Sequence, residues 1–237
     1  MDVTGYTTLT RQSGLMREMD VIAQNIANIS TSGFRREGVV FSEYVQRMED
    51  SPSLSMAYGN GRAVDLSQAG LQATGGTFDF AIQGEGFFLI ETPDGQQLSR
   101  AGAFTPSAAG ELVTPDGFRL LDEGGAPVFV PPAAGTVSMG KDGTLSANGT
   151  PLSRIGLWEP VDPVSLRHQT GTRFSADAVQ PAQGEAVVLQ GFLEDSNVEP
   201  VAEIARMIEV QRAYELGQTF LDREDARLRG IIETLGR

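Results

Sequence analysis

Apolar and small residues recur at alternating steps of three and four through the last forty residues, at Met207, Val210, Tyr214, Gly217, Leu221, Leu228, Ile231 and Leu235, with only Glu224 interrupting the series. A period of this kind held over so many turns describes one long helix with a narrow apolar stripe, suited to packing lengthwise against other helices rather than into a globular core. Leu15, Met19, Ile22, Ile26 and Ile29 keep the same spacing near the amino end. Leu9, Met16, Ala23 and Ala27 widen that face, and Arg11, Arg17, Glu18, Asp20 and Gln24 border it. The pattern predicts a second amphipathic helix, from about Thr4 to about Thr31. Gly33 suits the left-handed residue that closes a helix, and Phe34 would then fold back onto Ile29.

The carboxy-terminal helix needs a start. Ser196 and Glu199 form an S-x-x-E pair, but Glu199 precedes a proline and so avoids helical angles, which leaves Pro200 as the first helical residue. From there to about Leu235 the helix would be about 54 Å long at about 1.5 Å per residue, several times the usual globular length.

Between the helices the period changes. Residues 36–76 read as a connector, punctuated by Ser51-Pro52-Ser53, Gly59-Asn60-Gly61 and Gly75-Gly76. From Thr77 the period is two: Phe78, Phe80 and Ile82 alternate with Asp79, Ala81 and Gln83, and Phe87-Phe88-Leu89-Ile90 follows as a buried strand. Turn dipeptides at Asp94-Gly95, Asp116-Gly117, Gly124-Gly125, Asp142-Gly143 and Asn148-Gly149 separate further short apolar runs, ending with Ala186-Val187-Val188-Leu189-Gln190. Short strands between such turns predict an antiparallel β module. The fold class expected is α+β: amino- and carboxy-terminal helices pairing as a coiled-coil-like α domain, with a central antiparallel all-β domain. The boundaries expected are 1–35 for the first helix, 36–76 for the connector, 77–193 for the β domain and 194–237 for the second helix.

Charge narrows the choice of partners. The chain has 237 residues and a net charge of −13, and basic and acidic groups number 5 and 7 in residues 1–50, 7 and 14 in 51–193, and 6 and 10 in 194–237. No segment is basic, which argues against nucleic acid and anionic lipid surfaces. There is no cysteine, so disulfides and thiolate chemistry are excluded. The amino terminus shows no basic stretch followed by an apolar one, so no cleaved signal peptide is expected. No apolar run approaches the roughly 20 residues of a membrane-spanning helix, and no membrane insertion is expected.

Candidate chemistry is thin. Gly84-Glu85-Gly86-Phe87-Phe88 lacks the third glycine and the following helix of a nucleotide-binding loop, and reads as a tight turn. His168 is the only histidine, which leaves no set of imidazoles for a metal; it reads as a solvated loop residue. The Asp-Gly pairs lack the acidic spacing of a calcium loop, and Asp122-Glu123, neighbours on a turn, lack the opposed geometry of a glycosidase pair. No catalytic residue, cofactor or metal is expected.

Three ordered motifs carry a resemblance. Asn25-Ile26-Ala27-Asn28-Ile29-Ser30-Thr31-Ser32-Gly33-Phe34-Arg35 resembles the amino-terminal signature of the flagellar rod, hook and hook-associated proteins of bacteria. Ser196-Asn197-Val198-Glu199-Pro200, continuing through Met207-Ile208-Glu209-Val210-Gln211-Arg212-Ala213-Tyr214-Glu215, is similar to their carboxy-terminal signature. Asp79-Phe80-Ala81-Ile82-Gln83-Gly84-Glu85-Gly86-Phe87-Phe88 and Arg100-Ala101-Gly102-Ala103-Phe104-Thr105 resemble the shared opening of the β domain. The stretch from Tyr6 to Asp20, the short connector and the total length are most similar to proximal-rod members, with a distal-rod or hook-type member as the alternative.

The resemblance implies a structural, self-assembling subunit of the basal-body rod, exported by the flagellar type III apparatus without a cleaved signal, crossing the periplasm and passing torque toward the hook. Its partners would be copies of itself, its proximal-rod neighbours, the distal-rod protein and the export apparatus. The implied assembly residues are Leu15, Met19, Ile22, Asn25, Ile26, Ala27, Asn28, Ile29, Gly33 and Phe34 at the amino end. At the carboxy end they are Met207, Val210, Gln211, Tyr214, Gly217, Leu221, Leu228, Ile231 and Leu235. Such seams bury poorly within one helix pair, so ordering of the ends is expected to await neighbouring subunits.

Overall fold

The computed structural model describes the backbone of residues 3–46 and 54–235, and within it the side chains of 7–40, 61–231, 233 and 234. These residues gather into two compact units. One holds helices α1 (Val3–Ala27) and α2 (Pro200–Leu235) with a pair of strands, β1 (Glu37–Gln46) and most of β2 (Leu54–Val64). The other is built from residues 28–36 and 64–198 and is almost entirely β.

Both helices follow the apolar period, and their ends follow local chemistry. α2 starts at Pro200, whose missing N–H costs nothing at the first helical position, and the Glu199 carbonyl accepts from Glu203 N at 3.0 Å. α1 stops at Ala27, four residues before the expected Thr31. The Thr31 N–H bonds the Asn28 carbonyl at 3.1 Å, and the Thr31 hydroxyl lies 3.1 Å from Asn28 Oδ1. Asn, Ser and Thr side chains offer the backbone such local bonds in place of the helical ladder, and the run from Asn28 to Ser32 is made almost wholly of them.

Residues 36–76, expected to be a connector, carry β1, β2 and the short β3 (Leu71–Ala73). Gly59-Asn60-Gly61 is not a turn but lies inside β2. A Cβ on Gly61 would press on the Val40 side chain at 3.0 Å, so the glycine marks a close approach of two strands rather than a bend.

In the β unit every strand pair with a defined register is antiparallel, as the turn spacing predicts. β4 (Phe80–Gln83) pairs with Val187–Gln190, and β3 pairs with Phe192–Glu194. β5 (Phe87–Thr92) and β6 (Gly95–Ser99) form a hairpin at the centre of the main sheet, with Phe88 opposite Ser99 and Ile90 opposite Gln97. Side chains alternate across a strand, and β5 is covered on both faces. Phe88 and Ile90 join a core with Phe80, Ile82, Phe104 and Leu120, whereas Phe87 and Leu89 join one with Leu98, Leu166 and Phe174. That is why this strand reads as an unbroken apolar run. Asn148 and Gly149 both take positive φ, 50° and 80°, in the tight hairpin turn expected of that dipeptide. Gly84-Glu85-Gly86 connects β4 to β5 with no helix following it, as a turn.

His168 is not a solvated loop residue. It is half-buried in a short strand, its ring 5.4 Å from Phe34 and 5.1 Å from Phe174, edge-on to both. Phe34, expected to fold back onto Ile29, is fully buried in this aromatic stack. Rings so arranged gain both burial and quadrupole attraction, more than one local aliphatic contact offers.

Candidate assembly interface

α1 and α2 run antiparallel, with Asn25 beside Glu203, Glu18 beside Arg206 and Gln12 beside Tyr214. Leu15, Ile22 and Val210 are buried between them, and Met19, Ile26, Met207, Ala213 and Tyr214 pack against that cluster. Arg206 clasps Glu18 Oε1 with two donors, Nε at 2.8 Å and Nη2 at 2.6 Å. The hydrogen bond to Glu18 raises the already high Arg206 pKa, so this guanidinium stays charged through any physiological pH. α2 is eleven residues longer than α1, so about 16 Å of it extends beyond the length of its partner. Leu228 and Ile231 lie on that extension, each 45% exposed.

Asn25, the first residue of the amino-terminal signature, is the polar node of this unit. Its amide pairs with the Glu37 backbone in both directions: Nδ2 donates to Glu37 O at 2.8 Å, and Oδ1 accepts from Glu37 N at 3.0 Å. Nδ2 also reaches Glu203 Oε2 at 3.2 Å. One buried side chain therefore holds the end of α1, the start of β1 and the first turn of α2. Only a primary amide offers donors and an acceptor in this arrangement, so aspartate would lose the donors and leave Glu203 against a second carboxylate.

The rest of the signature serves the β unit. Gly33 takes φ +75°, and its N–H donates to Glu194 O at 2.8 Å. A Cβ there would fall inside the van der Waals radii of the Arg100-Ala101 peptide. Arg35, Arg100 and Glu194 form a buried ionic triad, with Glu194 2.9 Å from Arg35 Nη2 and 3.2 Å from Arg100 Nη1 and no side chain more than 3% exposed. Backbone carbonyls take further donors: Ser67 O from Arg35, and Ile82 O and Gly84 O from Arg100 at 3.1 and 2.6 Å. Burial lowers the Arg100 pKa to about 10; Glu194 opposes this and Arg35 adds to it. Asn197, from the carboxy-terminal signature, donates to Asp65 O and Ser67 O at 3.0 Å each and accepts from Arg36 N at 2.6 Å.

The residues expected to form one assembly surface thus occupy three situations. Leu15, Met19, Ile22 and Ile26 meet Met207, Val210 and Tyr214 inside the subunit, and Asn25 braces them. Asn28, Ile29, Gly33 and Phe34 belong to the β unit. Ala27, Gln211, Leu228 and Ile231 are exposed, Gly217 and Leu221 are half-buried, and the side chain of Leu235 lies outside the described residues. Sequence reasoning missed Gln12, Glu18, Glu37, Glu194, Glu203 and Arg206. Polar and charged residues are seldom fully buried unless paired, so nothing in their spacing marks Gln12 and the four glutamates as interior, or the exposed Arg206 as the partner of one of them.

Comparison with known proteins agrees with the motifs. Residues 4–35 match the family model described as flagella basal body rod protein, residues 81–147 the flagellar hook protein FlgE/F/G D1 domain, and residues 189–233 the flagellar basal body rod FlgEFG protein C-terminal region. The chain is 37% identical to the flagellar basal-body rod protein FlgF of Caulobacter vibrioides, over 100% of its own length and 99% of the relative's. It is 36% identical to FlgF of Mesorhizobium japonicum, over 98% and 97%. Against the flagellar basal-body rod protein FlgG of Bacillus subtilis the identity is 29%, over 96% and 97%.

Proposed function

The chain belongs to the flagellar basal-body rod and hook family, and from that premise we propose that it is a structural, self-assembling subunit of the proximal rod, of the FlgF kind. Identity supports that placement over the distal rod: 37% with a FlgF against 29% with a FlgG, each over nearly the whole chain. The subunit assembles with copies of itself and other rod proteins. Its helices pack in coiled-coil-like pairs with those of neighbouring subunits. It reaches the periplasm through the flagellar export apparatus and carries torque toward the hook.

The observation that carries the assembly role is the apolar surface left over on the helix pair. Leu9, Met16, Leu216, Phe220, Leu228 and Ile231 are between 37% and 73% exposed on α1 and α2. One helix pair cannot cover them, and exposed apolar area of this extent marks an interaction surface.

The test is the double variant Leu228→Asp with Ile231→Asp. Both side chains are 45% exposed and lie outside the buried cluster between the helices, so the subunit's own stability should change by no more than about 0.5 kcal/mol. Two carboxylates in a packed helical layer are prohibitive, and motility should be lost while the secreted subunit remains detectable. Normal swimming, with the variant present in purified basal bodies, would remove α2 from the assembly surface.

A further inference from the structure

A groove of about 360 Å³ runs between α1 and α2, with Gln12 and Gly217 at its base and Arg11, Leu216 and Phe220 on its rim. Gln12 is only 7% exposed. Its Nε2 donates to Tyr214 O at 2.9 Å, over the space where a Cβ on residue 217 would sit. Its Oε1 is buried and accepts no hydrogen bond from the described residues. A buried amide oxygen without a donor is rare and costly, and calls for a partner brought from outside.

We propose that this groove receives the overhanging last turns of α2, residues 226–235, from a second copy of the chain, with a donor from that segment bonding Gln12 Oε1. The proposal rests on the reading of the chain as a self-assembling subunit and names the contact within it. Extended to Val3, the antiparallel pairing brings α1 to its end opposite about Arg223, so the last turns of α2 have no partner from their own α1. Leu228 and Ile231, three residues apart, lie on one face of those turns and match the exposed Leu216 and Phe220 of the groove rim. Arg229 flanks that stripe. Its Nη2 meets Asp225 at 2.7 Å, and a guanidinium has five N–H donors, enough for Gln12 as well. Glu233 on the same turns is exposed and opposite in sign to Arg11 on the rim.

Every copy carries both the groove and the segment that fills it, so in a rod, where each groove takes the segment of a different neighbour, the contact propagates head to tail; a reciprocal exchange would instead close a two-fold pair and give crosslinked dimers with no ladder. Some ten helical residues bury too little to reach the roughly 1,000 Å² of a stable interface. The contact therefore forms where other contacts already hold the subunits side by side.

Cysteine crosslinking tests this cleanly, because the chain has no cysteine of its own. Leu216→Cys and Ile231→Cys in one chain are too far apart along α2 to pair with each other, since a disulfide needs Cα atoms within about 7 Å. Oxidised basal bodies carrying this variant should yield a ladder of linked subunits, and each single variant none. Gln12→Leu in the same background should lower crosslinking about tenfold, the loss of one charge-assisted hydrogen bond. If the double-cysteine subunit does not incorporate, Thr8→Cys with Leu228→Cys replaces it. Normal incorporation without a ladder, a crosslink only to a different rod protein, or a ladder unchanged by Gln12→Leu would overturn the proposal while leaving the rod assignment intact. Absence of the unmodified chain from basal bodies would overturn that assignment itself.

Discussion

Replacing Glu194 by alanine will lower the stability of the chain by about 3–5 kcal/mol, because it leaves two buried guanidinium groups without the one carboxylate that both of them touch. Arg35 and Arg100 are 1% and 3% exposed, and Glu194 lies between them, so neither cation can turn to water without opening the strands that hold it. Glu194 Oε1 also accepts from Ala69 N at 2.9 Å, and that donor would be orphaned too. Urea unfolding gives the measurement. Glu194→Gln keeps part of the hydrogen bonding and should fall between wild type and alanine. A double-mutant cycle with Arg100→Met isolates the pair, and the second substitution should recover part of the loss. A shift below 1 kcal/mol for Glu194→Ala would mean that water reaches the triad and screens it.

The same triad sets a pH dependence. Arg100 titrates at about 10, below its ordinary value, first because of burial and then because of Arg35. A base with a depressed folded pKa binds fewer protons folded than unfolded, so the cost of its buried charge persists below about pH 10 and is relieved as pH rises from there toward the ordinary arginine range. Removing Glu194 takes away the larger of the two attractions opposing the shift, leaving only that of Glu85, and the window should move lower.

Gly33→Val will abolish motility and will also lower the melting temperature of the whole chain, even though the helix-stop role by itself suggests a β core left unharmed. Two separate costs combine. A β-branched residue at φ +75° is strained by about 1–3 kcal/mol, and its side chain has no room against the Arg100-Ala101 backbone. That backbone adjoins the triad, and the Gly33 N–H bonds the Glu194 carbonyl, so any shift at residue 33 disturbs the most heavily charged part of the interior. Gly33→Ala separates the two costs. Alanine tolerates positive φ for about 1–2 kcal/mol, so damage close to that of valine identifies the close approach as the dominant constraint. Gly33→Val with wild-type melting would show that the backbone there moves apart freely.

The sequence by itself determined whatever depends on neighbours along the chain. The three-four period and the placement of Pro200 yield α2 with its first residue, and the unbroken run Phe87-Phe88-Leu89-Ile90 is a strand covered on both faces. The turn dipeptides mark hairpins because each needs only its own two residues to adopt the required φ. Those signals are local, and tertiary packing overrode only the one at Gly59-Asn60-Gly61, which lies inside a strand.

Only the tertiary structure decided what depends on partners far away in sequence. Glu194 meets Arg100 across 94 residues, and no periodicity carries information over that distance. The strand Gly59-Asn60-Gly61 reads as a turn until Val40 is seen to press against it. The amino-terminal signature looks like one continuous motif, yet Asn25 braces the helical unit while Gly33, Phe34 and Arg35 are buried in the β unit. Burial of a polar or charged group is settled by whether the fold supplies its counterpart, and that is a property of the assembled chain rather than of any segment in it.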